Sequence, residues 1–379
     1  MNAFGFALPG QVLFGRGEAA KAPALIAGFG GRGVVVHGHS PARAAWLVDA
    51  LRASGQQVTT LACGSEPTLP MLLDALESAR AARPDWVVAL GGGAAIDMGK
   101  ALAALIPAPG TPMDHLEVVG RALPLTAPPL PFIAIPTTSG TGAEATRNAV
   151  IGLPDHGRKV SLRDARMLPR IAIVDPALTD HCPRAVTLAS GLDALAQVIE
   201  PYVSSKATPF TDALTLPVIA PGLDALSRLM QGEDAAARDA MAWVSLSGGM
   251  ALANGGLGAV HGLAGVIGGI TPAAHGAICG VLLGPVLAMN RLHATGEAAA
   301  RIATVCAIIA EALSVPEAEA PAALANWARG AGLPGLIAQG LDPAQHHAVA
   351  VAAMQSSSYK GNPVALAVAD LEQVLAAAG

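Results

Sequence analysis

Aromatic residues make up only 3% of the 379-residue chain and charged residues only 13%, and neither sign of charge occurs in long runs. A nucleic-acid surface needs clustered Lys and Arg, and single-strand binding also uses aromatic stacking platforms. The net charge of −5 is negative, whereas such a surface is positively charged. The sparse charge and aromatics therefore argue against nucleic acid as a partner.

Cysteines are few and widely spaced, and no CxxC pair occurs among Cys63, Cys182, Cys279 and Cys306. This spacing indicates neither a zinc knuckle nor a redox dithiol, so we expect buried thiols in a reducing cytosol. The N-terminus has no basic segment followed by an apolar core, which predicts no signal peptide and a cytoplasmic protein. The apolar stretch 255–274 is broken by His261, several glycines and Pro272, so we interpret it as a buried helix and loop, not a membrane span.

Apolar residues account for 52% of the chain, enough for a sizeable core, and 379 residues suggest two domains. Five runs rich in Val or Ile predict strands: GVVVHG (33–38), QVTTLA (57–62), DWVVALGGG (85–93), PFIAIPTT (131–138) and RIAIVDP (170–176). Helical patterns separate these strands, which is typical of a parallel sheet. Beyond Asp175 only helical patterns follow. We therefore predict an α/β domain over 1–178 and an all-helical domain over 179–379.

Two of the predicted strands end in small or hydroxyl-bearing residues. The first leads into Gly91, Gly92 and Gly93 at the start of a helix, and the next into Thr137, Thr138 and Ser139. Glycines before a helix N-terminus let a phosphate reach free backbone N–H groups. The turn is neither a GxGxxG motif nor a P-loop, and alone it also fits a simple tight turn. Because open α/β sheets bind ligands at the carboxyl ends of their strands, the pair of loops predicts nucleotide binding.

In the helical half, Asp193 and Gln197 are four residues apart and share one helix face. His261 and His275 lie in two further glycine-rich segments. Carboxylate and imidazole are familiar ligands of Fe²⁺ or Zn²⁺, whereas glutamine offers only a weaker carbonyl oxygen. Spacing alone leaves each histidine open as an ordinary hydrogen-bonded residue. No GxSxG nucleophile motif occurs.

Several stretches in order resemble the iron-containing (group III) alcohol dehydrogenase family over nearly the full length of the chain. They are VLFGRG, GGGAAIDMGKALA at 91–103, PTTSGTGAEAT at 136–146, IAIVDPAL at 171–178, GLDALAQVIEPYVS at 191–204, VHG at 260–262, AHG at 274–276 and GNPVAL at 361–366. The resemblance implies the architecture shared with dehydroquinate synthase: a dinucleotide-binding α/β domain, an all-helical metal and substrate domain, and a metal in the cleft between them.

The resemblance also implies roles for individual residues. The residues that the resemblance implies for cofactor binding are Gly38, Gly91, Gly92, Gly93, Asp97, Thr137, Thr138, Ser139 and Lys159. Metal binding and catalysis fall on Asp193, His261 and His275, and Gln197 occupies the place of the fourth metal ligand, normally histidine. The implied activity is NAD(P)-dependent hydride transfer between a small alcohol and its aldehyde or ketone, with Fe²⁺ or Zn²⁺, in a homodimer or larger homo-oligomer without a membrane partner.

The chain departs from the family pattern at two positions besides Gln197. Gly265 stands where many members carry a proton-relay histidine, so the proton is expected to leave through water or cofactor hydroxyls. Gly38 stands where NAD-preferring members tend to carry an acid. Glycine leaves room for the 2′-phosphate of NADP, which Arg43 could reach.

These departures keep other functions open. Gln197 and Gly265 favour a metal-independent enzyme resembling maleylacetate reductases, while the retained Asp193 counts against it. Glycerol dehydrogenase and dehydroquinate synthase relatives share the architecture but match less well in their local motifs. A catalytically inactive nucleotide-binding protein is the alternative from another class.

Overall fold

The computed structural model describes residues 3–379, which form two compact units. One unit comprises Ala7–Thr138 and Ala143–Thr179. The other comprises Asp180–Gly379, joined by Ser139–Gly142 and the described N-terminal residues up to Phe6. The functional assignment of 1–178 and 179–379 remains a prediction.

The first unit is built on a six-stranded sheet that is parallel throughout. The sheet strands are β1 (Val12–Phe14), β2 (Arg32–His37), β3 (Gln57–Ala62), β4 (Trp86–Gly91), β5 (Phe132–Pro136) and β8 (Ile171–Val174). A separate antiparallel hairpin consists of β6 (Asn148–Leu153) and β7 (Arg158–Arg163). The strand order is β1-β8-β5-β4-β2-β3. All five predicted strands are confirmed, as β2, β3, β4, β5 and β8. The short edge strand β1 and the hairpin were not predicted.

Helices cover both faces of this sheet, which explains the continuous apolar runs of its central strands. The helices of this unit are α1 (Ala22–Ala27), α2 (Ala45–Ala53), α3 (Leu69–Ala82), α4 (Gly93–Leu105) and α5 (Pro112–His115). Successive residues of a strand point to opposite faces. Accordingly, Val87 and Ala89 of β4 pack in the core with α3 and α4, whereas Trp86 and Val88 pack in the core with α1 and α2.

The described residues of the second unit form helices joined by loops, without a strand. Its helices are α6 (Arg184–Val203), α7 (Pro209–Gln231), α8 (Ala235–Gly255), α9 (Ala259–Ile270), α10 (His275–His293), α11 (Gly296–Leu313), α12 (Ala320–Gly330), α13 (His346–Gln355) and α14 (Val368–Ala377). Helix α6 is buried along Gly191–Val203 and packs against α7, α8 and α10. A helix buried on all sides is usually apolar. The buried polar residues Asp193, Gln197 and Glu200 on α6 therefore require partners.

By length and hydropathy alone, α7 and α10 reach what a membrane span requires, and two bent helix pairs reach it only when each pair is taken together. Ile219 of α7 and Leu282 of α10 lie in the core of the helical unit, and 44% of the α7 window and 61% of the α10 window is buried. The stretch 255–274 contains α9 and a following loop, as predicted.

Candidate active site

Four side chains from three helices converge inside the helical unit. Asp193 comes from α6, His261 from α9, and His275 and Cys279 from α10, and their ligand atoms all lie within 4.8 Å of one another. Asp193 Oδ1 is 3.3 Å from His261 Nε2 and 3.8 Å from His275 Nε2. The structure thus brings together three residues predicted as metal ligands and adds a cysteine that was expected only as a buried thiol.

The polar atoms of this cluster fit a cation. Asp193 Oδ1 and His261 Nε2 are buried without a hydrogen-bond partner, an arrangement that native proteins rarely leave uncompensated. Two atoms bound at about 2.0–2.1 Å to one tetrahedral metal lie roughly 3.3 Å apart, which matches their separation. A metal ion would therefore satisfy both atoms at once.

Electrostatics within the cluster favour a positive species beside Asp193. Burial opposes ionisation of this carboxyl, but His275 and His261 outweigh it and hold the pKa of Asp193 below its usual value. Burial likewise disfavours charged imidazole, yet Cys279 and Asp193 raise the pKa of His275 to about 9. A metal binding at neutral pH must therefore displace protons from imidazole.

Glu200 orients the histidine of α9. Its Oε2 lies 2.6 Å from His261 Nδ1, and its Oε1 accepts a hydrogen bond from the backbone N–H of Val260 at 2.7 Å. A carboxylate on Nδ1 fixes the tautomer that leaves Nε2 free for a metal. Sequence reasoning missed Glu200, although it follows Asp193 by seven residues on the same helix face, a signal that could have indicated it.

Glu200→Gln is expected to weaken Zn²⁺ binding by about 10–100-fold, because the neutral amide supports the metal-bound imidazole less strongly. Competition titration with a chromophoric chelator measures the change. Glu372→Gln is the matched control, since Glu372 makes the same 2.6 Å contact with His347 Nδ1 on the exposed surface. Equal affinities for the wild type and Glu200→Gln would rule out this orienting role.

Gln197 interacts with the loop Ser139–Gly142. Its Nε2 donates to the carbonyl of Gly140 at 3.3 Å, while its Oε1 is buried without a hydrogen-bond partner. The loop packs tightly on α6: a Cβ at Gly140 would lie 2.7 Å from the Cβ of Ser190. Gln197 therefore helps to hold the loop Ser139–Gly142 on α6. That it also binds a metal remains a prediction.

Gly265 on α9 faces open space, because a Cβ built there meets no atom within 4 Å. We expect Gly265→Ala to raise the free energy of unfolding by up to about 1 kcal/mol, since glycine disfavours a helix interior. The same change at Gly262 should destabilise, because its Cβ would lie 3.0 Å from the Cβ of Tyr359. Thermal unfolding of Gly265→Ala and Gly262→Ala measures the two changes in stability and so shows which of the two positions has room for a methyl group. Destabilisation by Gly265→Ala would contradict the open surroundings.

Six of the candidate cofactor residues lie at or just after the carboxyl ends of β2, β4 and β5, which are neighbours in the sheet: Gly38, Gly91, Gly92, Gly93, Thr137 and Thr138. The backbone N–H of Thr137 donates to the carbonyl of Gly91 at 2.9 Å. A Cβ at Gly91 would lie 2.7 Å from the Cβ of Ala95 and 3.3 Å from the backbone nitrogen of Gly38, so this position has no room for a side chain. Gly92 is the N-cap residue of α4, and no side chain accepts a hydrogen bond from the first N–H groups of this helix. These N–H groups are therefore available to an anion.

The other candidate cofactor residues have additional contacts. Asp97 Oδ2 accepts a hydrogen bond from the backbone N–H of Val150 at 3.1 Å, which ties α4 to the hairpin. Lys159 on β7 forms an ion pair with Glu66. Ser139 groups with the helical unit, unlike Thr137 and Thr138. The cofactor roles of these residues remain predictions.

Lys100, the lysine of the GGGAAIDMGK motif, is fully buried and has a structural explanation. Its ammonium donates to the carbonyls of Ala143 and Asn148, both at 2.8 Å, and to Thr146 Oγ1 at 2.7 Å. These three acceptors satisfy all three of its donors. Lys100 therefore holds the segment after β5 against α4.

The first unit has a parallel sheet with a glycine-lined edge, and the helical unit carries an Asp–His–His–Cys cluster. Both features fit the class of metal-dependent nicotinamide oxidoreductases. Family models described as "Iron-containing alcohol dehydrogenase" and "Fe-containing alcohol dehydrogenase family, C-terminal" match residues 9–176 and 187–379. The chain belongs to the iron-containing alcohol dehydrogenase family, whose members use NAD(P) and iron, and it is an alcohol dehydrogenase.

Individual relatives agree with this assignment. A "Probable alcohol dehydrogenase EutG" of Salmonella typhimurium is 33% identical over 357 residues, covering 90% of this chain and 85% of that protein. The protein of the same name from Escherichia coli is 36% identical over 256 residues, which are 67% of this chain and 64% of that relative. A solved 1,3-propanediol oxidoreductase superposes with a TM-score of 0.89 at 26% identity and covers 100% of both chains.

Proposed function

We propose that Asp193, His261 and His275 hold the divalent metal of this alcohol dehydrogenase and are its catalytic residues. The observation that carries the proposal is that Asp193 Oδ1 and His261 Nε2 are buried 3.3 Å apart and neither has a hydrogen-bond partner. Both Fe²⁺ and Zn²⁺ accept carboxylate and imidazole ligands.

A metal held by Asp193, His261 and His275 would supply Lewis-acid chemistry toward the substrate oxygen, and a bound nicotinamide would supply the hydride chemistry. The chain's own residues prepare the site for this reaction. Glu200 holds the imidazole of His261 in one tautomer, and the buried carboxylate of Asp193 supplies negative charge. The His275 side chain is 30% exposed, so the cluster is reachable from its side. No side chain at Gly265 carries a proton, which leaves water or cofactor hydroxyls to do so.

We further propose that the dinucleotide binds along the glycine-lined edge of the sheet. Gly91, Gly92 and Gly93 would receive the pyrophosphate at the N-terminus of α4, and Gly38 would face the adenine ribose. The remaining proposed cofactor contacts are Asp97, Thr137, Thr138, Ser139 and Lys159. Either NAD or NADP fits, because Gly38 carries no acid to repel a 2′-phosphate.

Gly38→Asp is expected to shift the cofactor preference towards NADH by roughly 1–3 kcal/mol, the size of one charged hydrogen bond gained or one repulsion added. A Cβ at Gly38 meets no atom within 4 Å, so the substitution fits sterically. Kd values for NADH and NADPH from cofactor fluorescence give the shift, with Gly38→Asn as the uncharged control. Absence of NADPH binding to the wild type at millimolar concentration would refute the role assigned to Gly38.

The proposed substrate is a small alcohol and the corresponding aldehyde or ketone, as the names of an alcohol dehydrogenase and a propanediol oxidoreductase among the similar proteins suggest. We also propose a cytoplasmic homo-oligomer. Buried free cysteines are compatible with a reducing compartment.

Metal analysis combined with turnover tests the proposal. Gently purified protein should contain about one Fe or Zn per chain, and a chelator should abolish NAD(P)H oxidation with a panel of short aldehydes until metal is returned. Turnover without metal would favour the reductase alternative instead. Cofactor binding without any turnover would favour an inactive nucleotide-binding protein.

A further inference from the structure

We propose that Cys279, as a thiolate, supplies the fourth metal ligand, the role that the family pattern assigns to residue 197. The inference rests on the proposed metal site of Asp193, His261 and His275. It replaces an oxygen or nitrogen donor with sulfur and thereby changes which metal the site prefers.

The position of Cys279 fits ligation. It lies four residues after His275 on α10, and its Sγ is 3.6 Å from His275 Nε2. A sulfur bound at about 2.3 Å and a nitrogen bound at about 2.0–2.1 Å to one tetrahedral ion lie roughly 3.6 Å apart. Two residues four apart on a helix can therefore both reach one ion here.

The surroundings of Cys279 distinguish it from the other cysteines. It is fully buried, yet it lies within the group formed by Asp193, His261 and His275. Cys63 instead contacts the carbonyls of Ser65 and Ala94, and burial raises the pKa of its thiol to about 12. Cys279 therefore lies among other potential metal ligands, whereas Cys63 lies against backbone carbonyls.

Gln197 is a poorer candidate for the fourth ligand. Its amide nitrogen donates to Gly140, and its amide oxygen would be a weak donor compared with a thiolate. Gln197 therefore acts on this view by holding the loop Ser139–Gly142 on α6.

Charge supports the same assignment. One carboxylate, one thiolate and two neutral imidazoles together carry −2, which balances a divalent ion inside a buried site. An amide oxygen in place of the thiolate would leave one positive charge uncompensated. Because thiolate is a soft ligand, this set favours Zn²⁺ and Co²⁺ over Fe²⁺ more than an all-oxygen-and-nitrogen set does.

Cobalt reconstitution of the full chain tests the assignment. The metal-stripped wild type is loaded with Co²⁺, bound cobalt is counted by dialysis and elemental analysis, and the near-ultraviolet spectrum is recorded. We expect one bound Co²⁺ with an intense sulfur-to-cobalt charge-transfer band. Cys279→Ser should lose the band and bind Co²⁺ at least about 10-fold more weakly, the lower limit for losing even an outer partner of a metal site.

Two controls isolate the role of Cys279. Gln197→Leu removes the amide at similar size and should keep the band, and Cys306→Ser removes a buried thiol outside the cluster and should also keep it. Bound cobalt without a charge-transfer band in the wild type would overturn the cysteine assignment while leaving the three-residue site intact. Failure of the wild type to bind Co²⁺ at all would overturn the proposed metal site itself. The wild-type spectrum decides the matter even if Cys279→Ser does not fold.

Discussion

Asp193→Ala is expected to leave the purified protein without stoichiometric metal and to lower kcat/KM for aldehyde reduction by about 10³-fold. The estimate corresponds to about 4 kcal/mol, a typical contribution of a Lewis-acid metal to transition-state stabilisation. Asp193 Oδ1 lies 3.3 Å from His261 Nε2 and 3.8 Å from His275 Nε2, so its removal takes away the one carboxylate oxygen that is close to both histidines.

The control for this variant is Asp224→Ala on α7, where the same side chain is 67% exposed and pairs with the surface residue Arg228. Circular dichroism checks that both variants fold, and NADH titration checks that the cofactor still binds. Asp193→Asn keeps the volume but not the charge, and should also lose the metal. Full metal content in Asp193→Ala would mean that the carboxylate is not a ligand.

Gly92→Asp is expected to weaken binding of both NADH and NADPH by at least about 100-fold while the protein remains folded. A carboxylate about 4 Å from a phosphate costs about 4 kcal/mol at an effective dielectric constant of 20, and partial exposure of Gly92 reduces this to roughly 2 kcal/mol. In addition, aspartate at the N-cap of α4 would accept the N–H groups that the phosphate needs, at a loss of about 1.5–3 kcal/mol.

Folding should survive this change because aspartate is a favourable N-cap residue and the backbone of Gly92 has an ordinary extended conformation. Its Cβ would lie 3.3 Å from Thr138 Oγ1, which calls for only a small adjustment. Gly92→Asn has nearly the same shape without the charge and should lose less affinity. Unchanged fluorescence titrations with both cofactors in Gly92→Asp would refute phosphate binding at this turn.

Four of the five strands that the sequence predicted, β2, β4, β5 and β8, are buried along most or all of their length, whereas β3 is only partly buried. The apolar runs of β4 and β5 could form only central strands of a covered sheet, and both strands are completely buried. The hairpin of β6 and β7 was not predicted: both strands are only partly buried, and β7 begins and ends with arginine, at Arg158 and Arg163. Edge strand β1 has three residues, too few for a periodic pattern.

The sequence by itself determined the α/β and helical halves, the glycine-lined turn and, through its ordered motifs, the family. Periodicity states which residues share a face of one helix, as Asp193, Gln197 and Glu200 do on α6. It does not state what lies opposite that face. Only the packing of α6, α9 and α10 placed Cys279 within the cluster, set Glu200 against His261 and directed the amide of Gln197 to Gly140. Contacts between distant segments depend on the three-dimensional positions of all three helices, and no spacing within one segment carries that information.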